Sequence, residues 1–105
     1  MGTADKKYMV VISDEATQML VSYSRFLAQV SETAALNLIV EFSQKAKSLG
    51  EFPERNPWLA NHFIPADKYR KLLMGKWYLL IYQVKGNTVF VDYVVDCRQD
   101  YGWLL

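Results

Sequence analysis

Two helical stripes of apolar residues follow one another near the start of this chain, and they constrain its fold more than any other feature. The first covers residues 14–30, with apolar side chains three or four positions apart, and Ser13 precedes it as an N-cap. The second covers residues 32–49 after Ser31, and Gly50 follows at a position that favours a left-handed backbone. Because the connection is so short, we predict an antiparallel helical hairpin.

Strand-like segments stand on both sides of this hairpin. Apolar and β-branched runs bounded by turn residues occupy 8–12, 69–74, 76–84 and 88–96. Gly86, in the turn between the last two runs, is free to take a positive φ. The order is β-α-α-β-β-β, so we predict an α+β fold in which the hairpin packs on one face of an antiparallel sheet. A chain of 105 residues can bury one core, so residues 1–105 are predicted to form a single domain.

Composition narrows the classes of function. Twelve basic and eleven acidic residues give a net charge of +1, so the chain is not a general binder of polyanions. One histidine, His62, and one cysteine, Cys97, exclude a multi-histidine zinc site and an internal disulfide, and we expect no metal and no cofactor. The uncharged apolar run at 77–84 is far shorter than the ~20 residues of a membrane helix. We therefore expect a cytoplasmic protein with no membrane partner.

Alternation along the last strand sorts its side chains onto two faces. The face predicted to belong to the core carries Val89, Val91, Tyr93 and Val95. The other face carries Phe90, Asp92, Val94, Asp96 and, if the strand continues, Arg98. This second face mixes carboxylates with apolar groups, so it is predicted to meet water or a partner.

A basic patch on that uncovered face is the main candidate for chemistry. Its members would be Lys68, Arg70, Lys76 and Arg98. Alternatively, Arg70 and Arg98 pair with Asp92 and Asp96 across strands, and spacing alone favours these ion pairs because surface ion pairs are common. The two aspartates lie four residues apart on one strand, roughly 13 Å, which is too far for a shared proton.

Three other features have structural interpretations. Segment 51–67 contains three prolines but also several apolar residues, so we predict an ordered loop folded onto the body, with His62 at its surface. Cys97 is predicted to be partly buried and unreactive. Residues 101–105, Tyr-Gly-Trp-Leu-Leu, are too apolar for a free end and are expected to dock on the body or on a partner.

Several short motifs, in this order of elements, resemble the RelE/ParE superfamily of toxins from bacterial toxin–antitoxin systems. Residues 48–53, Ser-Leu-Gly-Glu-Phe-Pro, are similar to the family's helix end and following proline loop. Residues 68–72, Lys-Tyr-Arg-Lys-Leu, are followed by the strand at 78–84, as in the family. Residues 96–101, Asp-Cys-Arg-Gln-Asp-Tyr, fall where the superfamily often has a basic cluster. The resemblance covers nearly the whole chain and lies in the order and spacing of these motifs.

The resemblance implies a toxin that arrests growth and is neutralised by a cognate antitoxin. The RelE branch cuts mRNA in the ribosome, and it implies Arg70, Arg98 and Tyr101 as catalytic candidates, with the arginines stabilising transition-state charge. The ParE branch acts on DNA gyrase. Leu72 and Leu79 stand where the nuclease branch commonly has basic residues, so the nuclease set is incomplete. A non-catalytic protein-binding module or an inactive toxin homologue is the alternative.

The resemblance and the composition also predict two features of the geometry. A nuclease site requires Arg70 and Arg98 to share the sheet's uncovered face, within reach of one phosphate. Two short helices cannot cover all of the large apolar side chains, so some are predicted to form a groove or patch for a partner's helix or strand. The side chains concerned are Trp58, Phe63, Trp77, Trp103 and Leu105.

Overall fold

The computed structural model describes residues 7–60 and 65–97, in which the elements follow the predicted order. The elements are β1 (Met9–Ile12), α1 (Asp14–Ala28), α2 (Glu32–Ser48), β2 (Arg70–Met74), β3 (Tyr78–Lys85) and β4 (Thr88–Asp96). A 3-10 turn at Pro53–Arg55 lies in the loop before β2. The predicted α+β class is confirmed.

Serine side chains begin both helices, as the sequence predicts. Ser13 Oγ accepts a hydrogen bond from the N–H of Ala16 at 2.9 Å, and Ser31 Oγ accepts one from the N–H of Ala34 at 3.1 Å. Each bond satisfies an amide that has no partner within its own helix. The two caps fix where α1 and α2 start, and the short connection between them makes the predicted hairpin.

Gly50 follows α2 for a different reason from the predicted one. The predicted left-handed conformation is wrong at this position, and the left-handed residue near this helix end is Phe52, at φ 52°. Gly50 instead allows a close approach, since a Cβ there would lie 3.3 Å from the carbonyl oxygen of Lys47. Its own carbonyl accepts a hydrogen bond from the N–H of Tyr8 at 2.8 Å, which joins the end of α2 to the start of β1.

The four strands form one sheet in the order β1-β4-β3-β2. β2, β3 and β4 make the predicted antiparallel meander, with Gly86 at φ 60° in its second turn. β1 pairs with β4 in parallel, so the sheet is mixed and differs from the prediction at this edge. The reason is the hairpin: α2 returns the chain to the end of the sheet where β1 began. β2, and then β4, therefore run in the direction of β1.

The helical hairpin covers one face of the sheet, as predicted. Its inward side chains join those of the strands in one buried cluster: Ala16, Leu20, Leu38, Phe42, Ala46, Leu49, Met74, Tyr78, Leu80, Tyr82, Val89, Val91 and Val94. The predicted stripe of α1 leaves this core near the hairpin turn, where Phe26 is 63% and Val30 is 82% exposed. Apolar surface at the tip of the hairpin is thus left uncovered by the sheet.

A bulge in β4 changes which of its side chains belong to the core. The β3–β4 register shifts by one residue, which leaves Asp92 as an extra residue in β4. Beyond it, Val94 joins the helix-side cluster, whereas Tyr93 and Val95 lie on the opposite face. The predicted alternation therefore holds as far as Val91 and is wrong beyond that residue.

α1 covers the part of β4 that extends past β1. Ser13 Oγ donates a hydrogen bond to the carbonyl oxygen of Asp92 at 3.0 Å. The N–H of Asp96 donates to the hydroxyl of Tyr23 at 3.2 Å. Side chains of the helix thus provide hydrogen-bond partners that a longer first strand would otherwise supply.

Candidate functional site

Arg70, the first catalytic candidate, lies on the helix-covered face of the sheet. It begins β2 opposite Tyr82 of β3, and residues opposite one another in antiparallel strands share a face. Because Tyr82 belongs to the helix-side cluster, the prediction that Arg70 faces away from the helices is wrong. β3 also separates β2 from β4, so Arg70 is not a cross-strand neighbour of Asp92 or Asp96, as the ion-pair interpretation requires.

The loop before β2 holds the Arg70 guanidinium. Arg70 Nη1 donates hydrogen bonds to the carbonyl oxygens of Glu54 at 2.9 Å and Asn56 at 2.6 Å. The guanidinium carbon lies 3.7 Å from the ring centroid of Trp58, within the range of a cation–π contact. Trp58 and Arg70 also pair in an isolated antiparallel bridge. The charged group of this candidate therefore joins the loop to the edge of the sheet.

Tyr82 holds the same loop from the sheet side. Asn56 Nδ2 donates to the Tyr82 hydroxyl at 3.0 Å, and this hydroxyl donates to the carbonyl oxygen of Pro53 at 2.5 Å. Burial raises the pKa of Tyr82, while the Asn56 hydrogen bond and the Arg70 charge act to lower it. The phenol is thus a neutral donor. We call the group Glu54, Asn56, Trp58, Arg70 and Tyr82 the Arg70 clamp.

Most members of the Arg70 clamp were not candidates from the sequence. The apolar residues of the proline-bearing segment predicted an ordered loop folded on the body, and its described part, including Trp58 and the buried Leu59, does pack in this way. The bonds themselves go to backbone carbonyls, which every residue type supplies. No sequence pattern could therefore have named Glu54 and Asn56.

A cavity of about 260 Å³ opens beside the Arg70 clamp. Lys68 and Arg70 line it, but so do the acidic residues Glu54 and Asp67. Lys76, another member of the predicted basic patch, follows β2 at the opposite end of that strand. Lys68 and Arg70 thus lie together in a cavity that also contains acidic side chains, whereas Lys76 lies apart from them.

Three of the polar side chains that the sequence singled out lie outside the described residues. They are His62, Arg98 and Tyr101. A nuclease site that combines Arg98 and Tyr101 with Arg70 therefore stays a prediction.

Two positions of the expected basic set are occupied by packed leucines. Leu72 packs against the helix-side cluster. Leu79 is buried on the opposite face with Leu59, Ile81 and Val95. Both side chains contribute to the core, where a basic residue would lose its hydration.

The face away from the helices carries a pair of tyrosines. The rings of Tyr69 and Tyr93 meet edge to face with centroids 6.1 Å apart, and their hydroxyls are hydrogen-bonded. Burial raises the pKa of both phenols; the charge of Asp92 raises both further, and that of Glu15 adds to the effect on Tyr93. Leu59 folds over the same face and is almost fully buried. Part of this face is therefore covered by the chain itself.

A groove of about 500 Å³ lies at the opposite end of β2 from the Arg70 clamp. It runs between the hairpin and the turn from β2 to β3, over the buried side chains of Leu38, Met74 and Tyr78. Trp77 also lines it and is 46% exposed. We call this the Trp77 groove; it is apolar at its base and open to solvent.

The aromatic patch predicted from the sequence is divided between these two regions. Trp58 contacts Arg70 in the clamp and is still 40% exposed, whereas Trp77 lines the groove. The other predicted members, Phe63, Trp103 and Leu105, lie outside the described residues.

Cys97 is exposed, so the prediction that it is partly buried is wrong. Within residues 7–60 and 65–97, no cluster of histidine, cysteine or acidic side chains is suited to hold a metal ion. Neither helix in these ranges combines the length and the apolar content needed to cross a membrane.

A solved structure shares this fold. One chain of the structure described as the chromosomal ParDE TA system from P. aeruginosa matches with a TM-score of 0.68 at 15% identity, covering 87% of this chain and 97% of that one. This chain thus shares its fold with a chain of a ParDE system, in agreement with the fold that the sequence resemblance implied. No protein-family model and no curated protein matches the sequence.

Proposed function

We propose that this protein is the toxin of a bacterial type II toxin–antitoxin system and that it arrests growth by binding DNA gyrase. The fold carries the proposal, because a chain of a ParDE system shares it over 97% of that chain's length. Within the RelE/ParE superfamily, which the sequence resembles, the ParE branch acts on gyrase. On this proposal residues 1–105 form one domain that works in the cytoplasm.

The contacts of Arg70 favour binding over RNA cleavage. An arginine that stabilises a transition-state phosphate must aim its N–H groups at that phosphate. Nη1 of Arg70 already donates to two carbonyls, and Trp58 lies against the guanidinium. The buried Leu79 and the packed Leu72 remove two further basic positions of the nuclease set.

A ribosome-dependent mRNA endonuclease is the second candidate, and one observation favours it. Lys68 and Arg70 line the same cavity, so two cations could contact one phosphate there. Proton transfer would then fall to Tyr101 or a lysine, with Arg98 as the second arginine. Glu54 and Asp67 in the same lining weaken this candidate, because carboxylates repel a phosphate.

Two assays on the purified protein distinguish these functions. We expect it to inhibit DNA supercoiling by gyrase and to leave ribosome-bound mRNA intact in a primer-extension assay. Cleavage of mRNA without an effect on gyrase would contradict the proposal, and the absence of both activities would indicate an inactive homologue. As a control, a folded Arg98→Ala, Tyr101→Phe variant should still arrest growth. Loss of growth arrest in that variant would favour the endonuclease.

A cognate antitoxin is the partner that this function requires. The exposed apolar side chains of the hairpin offer a surface for it; they are Val21, Phe26, Val30, Leu36, Ile39 and Val40. A specific complex should bury on the order of 1,200–2,000 Å² and should raise the melting temperature, because the antitoxin binds the folded state. Co-expression with the product of the adjacent gene, size-exclusion chromatography and thermal unfolding test this. If the product of the adjacent gene neither co-elutes with this protein nor shifts its melting temperature, the toxin–antitoxin proposal is contradicted.

A further inference from the structure

The Trp77 groove lies where the described chain leaves the sheet. Asp96, the last residue of β4, pairs with Tyr78, and the N–H of Cys97 donates to the carbonyl oxygen of Trp77 at 2.6 Å. Tyr78 and Trp77 both line the groove. Cys97, the residue before segment 98–105, is therefore bonded to the wall of the groove.

The composition of residues 98–105 matches that of the groove. The segment is Arg-Gln-Asp-Tyr-Gly-Trp-Leu-Leu, with its charges in the first half and its apolar side chains in the second. Lys76 lines the groove beside the exit, since Cys97 Sγ lies 3.8 Å from the Lys76 carbonyl oxygen. Leu27 and Met74 contribute apolar surface. The order of charged and then apolar residues in the segment thus matches the order of Lys76 and the apolar base in the groove.

The segment is also long enough to fill the groove. From Cys97 to Trp103 the chain spans at most about 20 Å when extended and about 9 Å as a helix. Either conformation reaches a groove whose wall is bonded to Cys97. A volume of about 500 Å³ lies within the usual range of pockets that enclose a small apolar ligand.

We propose that residues 98–105 fold back into the Trp77 groove of the same chain, with Trp103 and Leu104 on its apolar base and Asp100 beside Lys76. Docking removes apolar surface of Trp77 and Trp103 from water, which is its driving force. The proposal is independent of the cellular target. A consequence is that any partner helix that enters this groove must first displace the segment.

Disulfide crosslinking in the full chain tests this docking. In a Cys97→Ser background, Gly102→Cys is combined with Ala34→Cys, which lies in the groove lining. A disulfide requires Cα atoms within about 7 Å of each other. We therefore expect mild oxidation to give an intramolecular crosslink, seen as a faster-migrating monomer on a non-reducing gel. Adding Trp103→Ala and Leu104→Ala should remove most of this product.

The matched control combines Gly102→Cys with Ser22→Cys, which is exposed on α1 in a separate surface depression. Equal crosslink yields at Ala34 and Ser22 would overturn the proposal, as would disulfide-linked dimers alone, because they would place the segment in a second copy. A second measurement avoids the new cysteines: deleting residues 101–105 should raise the fluorescence of a bound apolar dye such as ANS. Unchanged fluorescence in the folded deletion variant would also overturn the proposal.

Discussion

The two ends of β2 differ in how the rest of the chain covers them. At its first residue, Arg70 donates to two loop carbonyls and lies against Trp58, so a charged group is enclosed by the chain's own backbone. After its last residue, Met74, the chain turns through Trp77, which is 46% exposed over an apolar groove. The difference shows that the chain encloses the charged end with its own backbone, whereas at the apolar end nearly half of the Trp77 side chain stays exposed.

This difference bears on the proposed mechanism. A nuclease needs cations that are free to contact a phosphate. Arg70 is the one catalytic candidate within the described residues, and its Nη1 already donates to two loop carbonyls. A toxin that acts by binding needs apolar surface, which the outer side of the hairpin supplies; on the proposal above, the Trp77 groove would supply it only after residues 98–105 are displaced. Substitutions at both ends of β2 test whether the two ends differ in this way.

The largest effect on stability is expected at Met74, which is fully buried at the base of the groove. Met74→Ala should lower the free energy of unfolding by about 2–5 kcal/mol, because it removes buried methylenes and leaves a cavity. Urea denaturation measures this. The control is Leu73→Ala, one residue earlier and 52% exposed, which should change stability by less than about 0.5 kcal/mol. Similar losses for both would mean that the groove base is not part of the core.

The second-largest loss of stability is expected on substitution of Arg70. Arg70→Ala should lower the free energy of unfolding by about 1.5–3 kcal/mol, the usual range for hydrogen bonds to a charged group. Arg70→Lys should also be destabilising, because an ammonium keeps the charge but loses the planar group that contacts Trp58. Urea denaturation and limited proteolysis of the 53–58 loop report both changes.

A matched control for this prediction is Arg55→Ala. Arg55 is an exposed arginine of the same loop and donates to the carbonyl oxygen of Glu51 at 2.7 Å. It should change stability by no more than about 0.5 kcal/mol. If Arg70→Ala abolished activity but left the stability of the chain unchanged, Arg70 would be a functional residue rather than a structural one.

The sequence predicts the elements better than it predicts their side-chain environments. The apolar spacing and the serine caps correctly predicted both helices and the hairpin, because these signals depend only on residues close together in the sequence. The predicted faces of β4 were wrong beyond Val91, because one bulged residue, Asp92, reverses the alternation. The position of this bulge depends on pairing with another strand, which no local pattern in β4 shows. The role of Arg70 was missed for a similar reason. Its partners are carbonyls of a loop that has no repeating pattern.

Tyr82→Phe should have a smaller effect at neutral pH. The variant loses the hydroxyl that bonds Asn56 and Pro53 but keeps the buried ring, so we expect a cost of about 1 kcal/mol. Trp58 should then become more accessible as the loop loosens. Urea denaturation and acrylamide quenching of tryptophan fluorescence would measure both changes, and an unchanged stability would show that the loop does not depend on this hydroxyl.

The pH dependence of this variant gives a second test. The pKa of Tyr82 is raised in the folded protein, so above about pH 10, where unfolded tyrosines ionise, the folded state holds more protons. Stability is therefore fully present below that pH and falls as the pH rises through the folded pKa. In Tyr82→Phe the decline in unfolding free energy between about pH 9 and 11 should be shallower. Tyr69 and Tyr93 should still make the unfolding free energy of the variant fall with pH. A fall as steep in Tyr82→Phe as in the unsubstituted protein would contradict the role of Tyr82.

The smallest expected effect separates the two tryptophans, whose exposures are nearly equal at 40% for Trp58 and 46% for Trp77. A double-mutant cycle with Arg70 measures the interaction of each ring with the guanidinium, independently of anything else the ring contacts. The Trp58–Arg70 cycle should give a coupling of about 0.5–2 kcal/mol, because the guanidinium lies against that ring. The Trp77–Arg70 cycle should be additive within about 0.5 kcal/mol, because the two residues lie at opposite ends of β2. Equal couplings would mean that the clamp and the groove form one cooperative unit, and Arg70 could then influence binding at the groove from the far end of the strand.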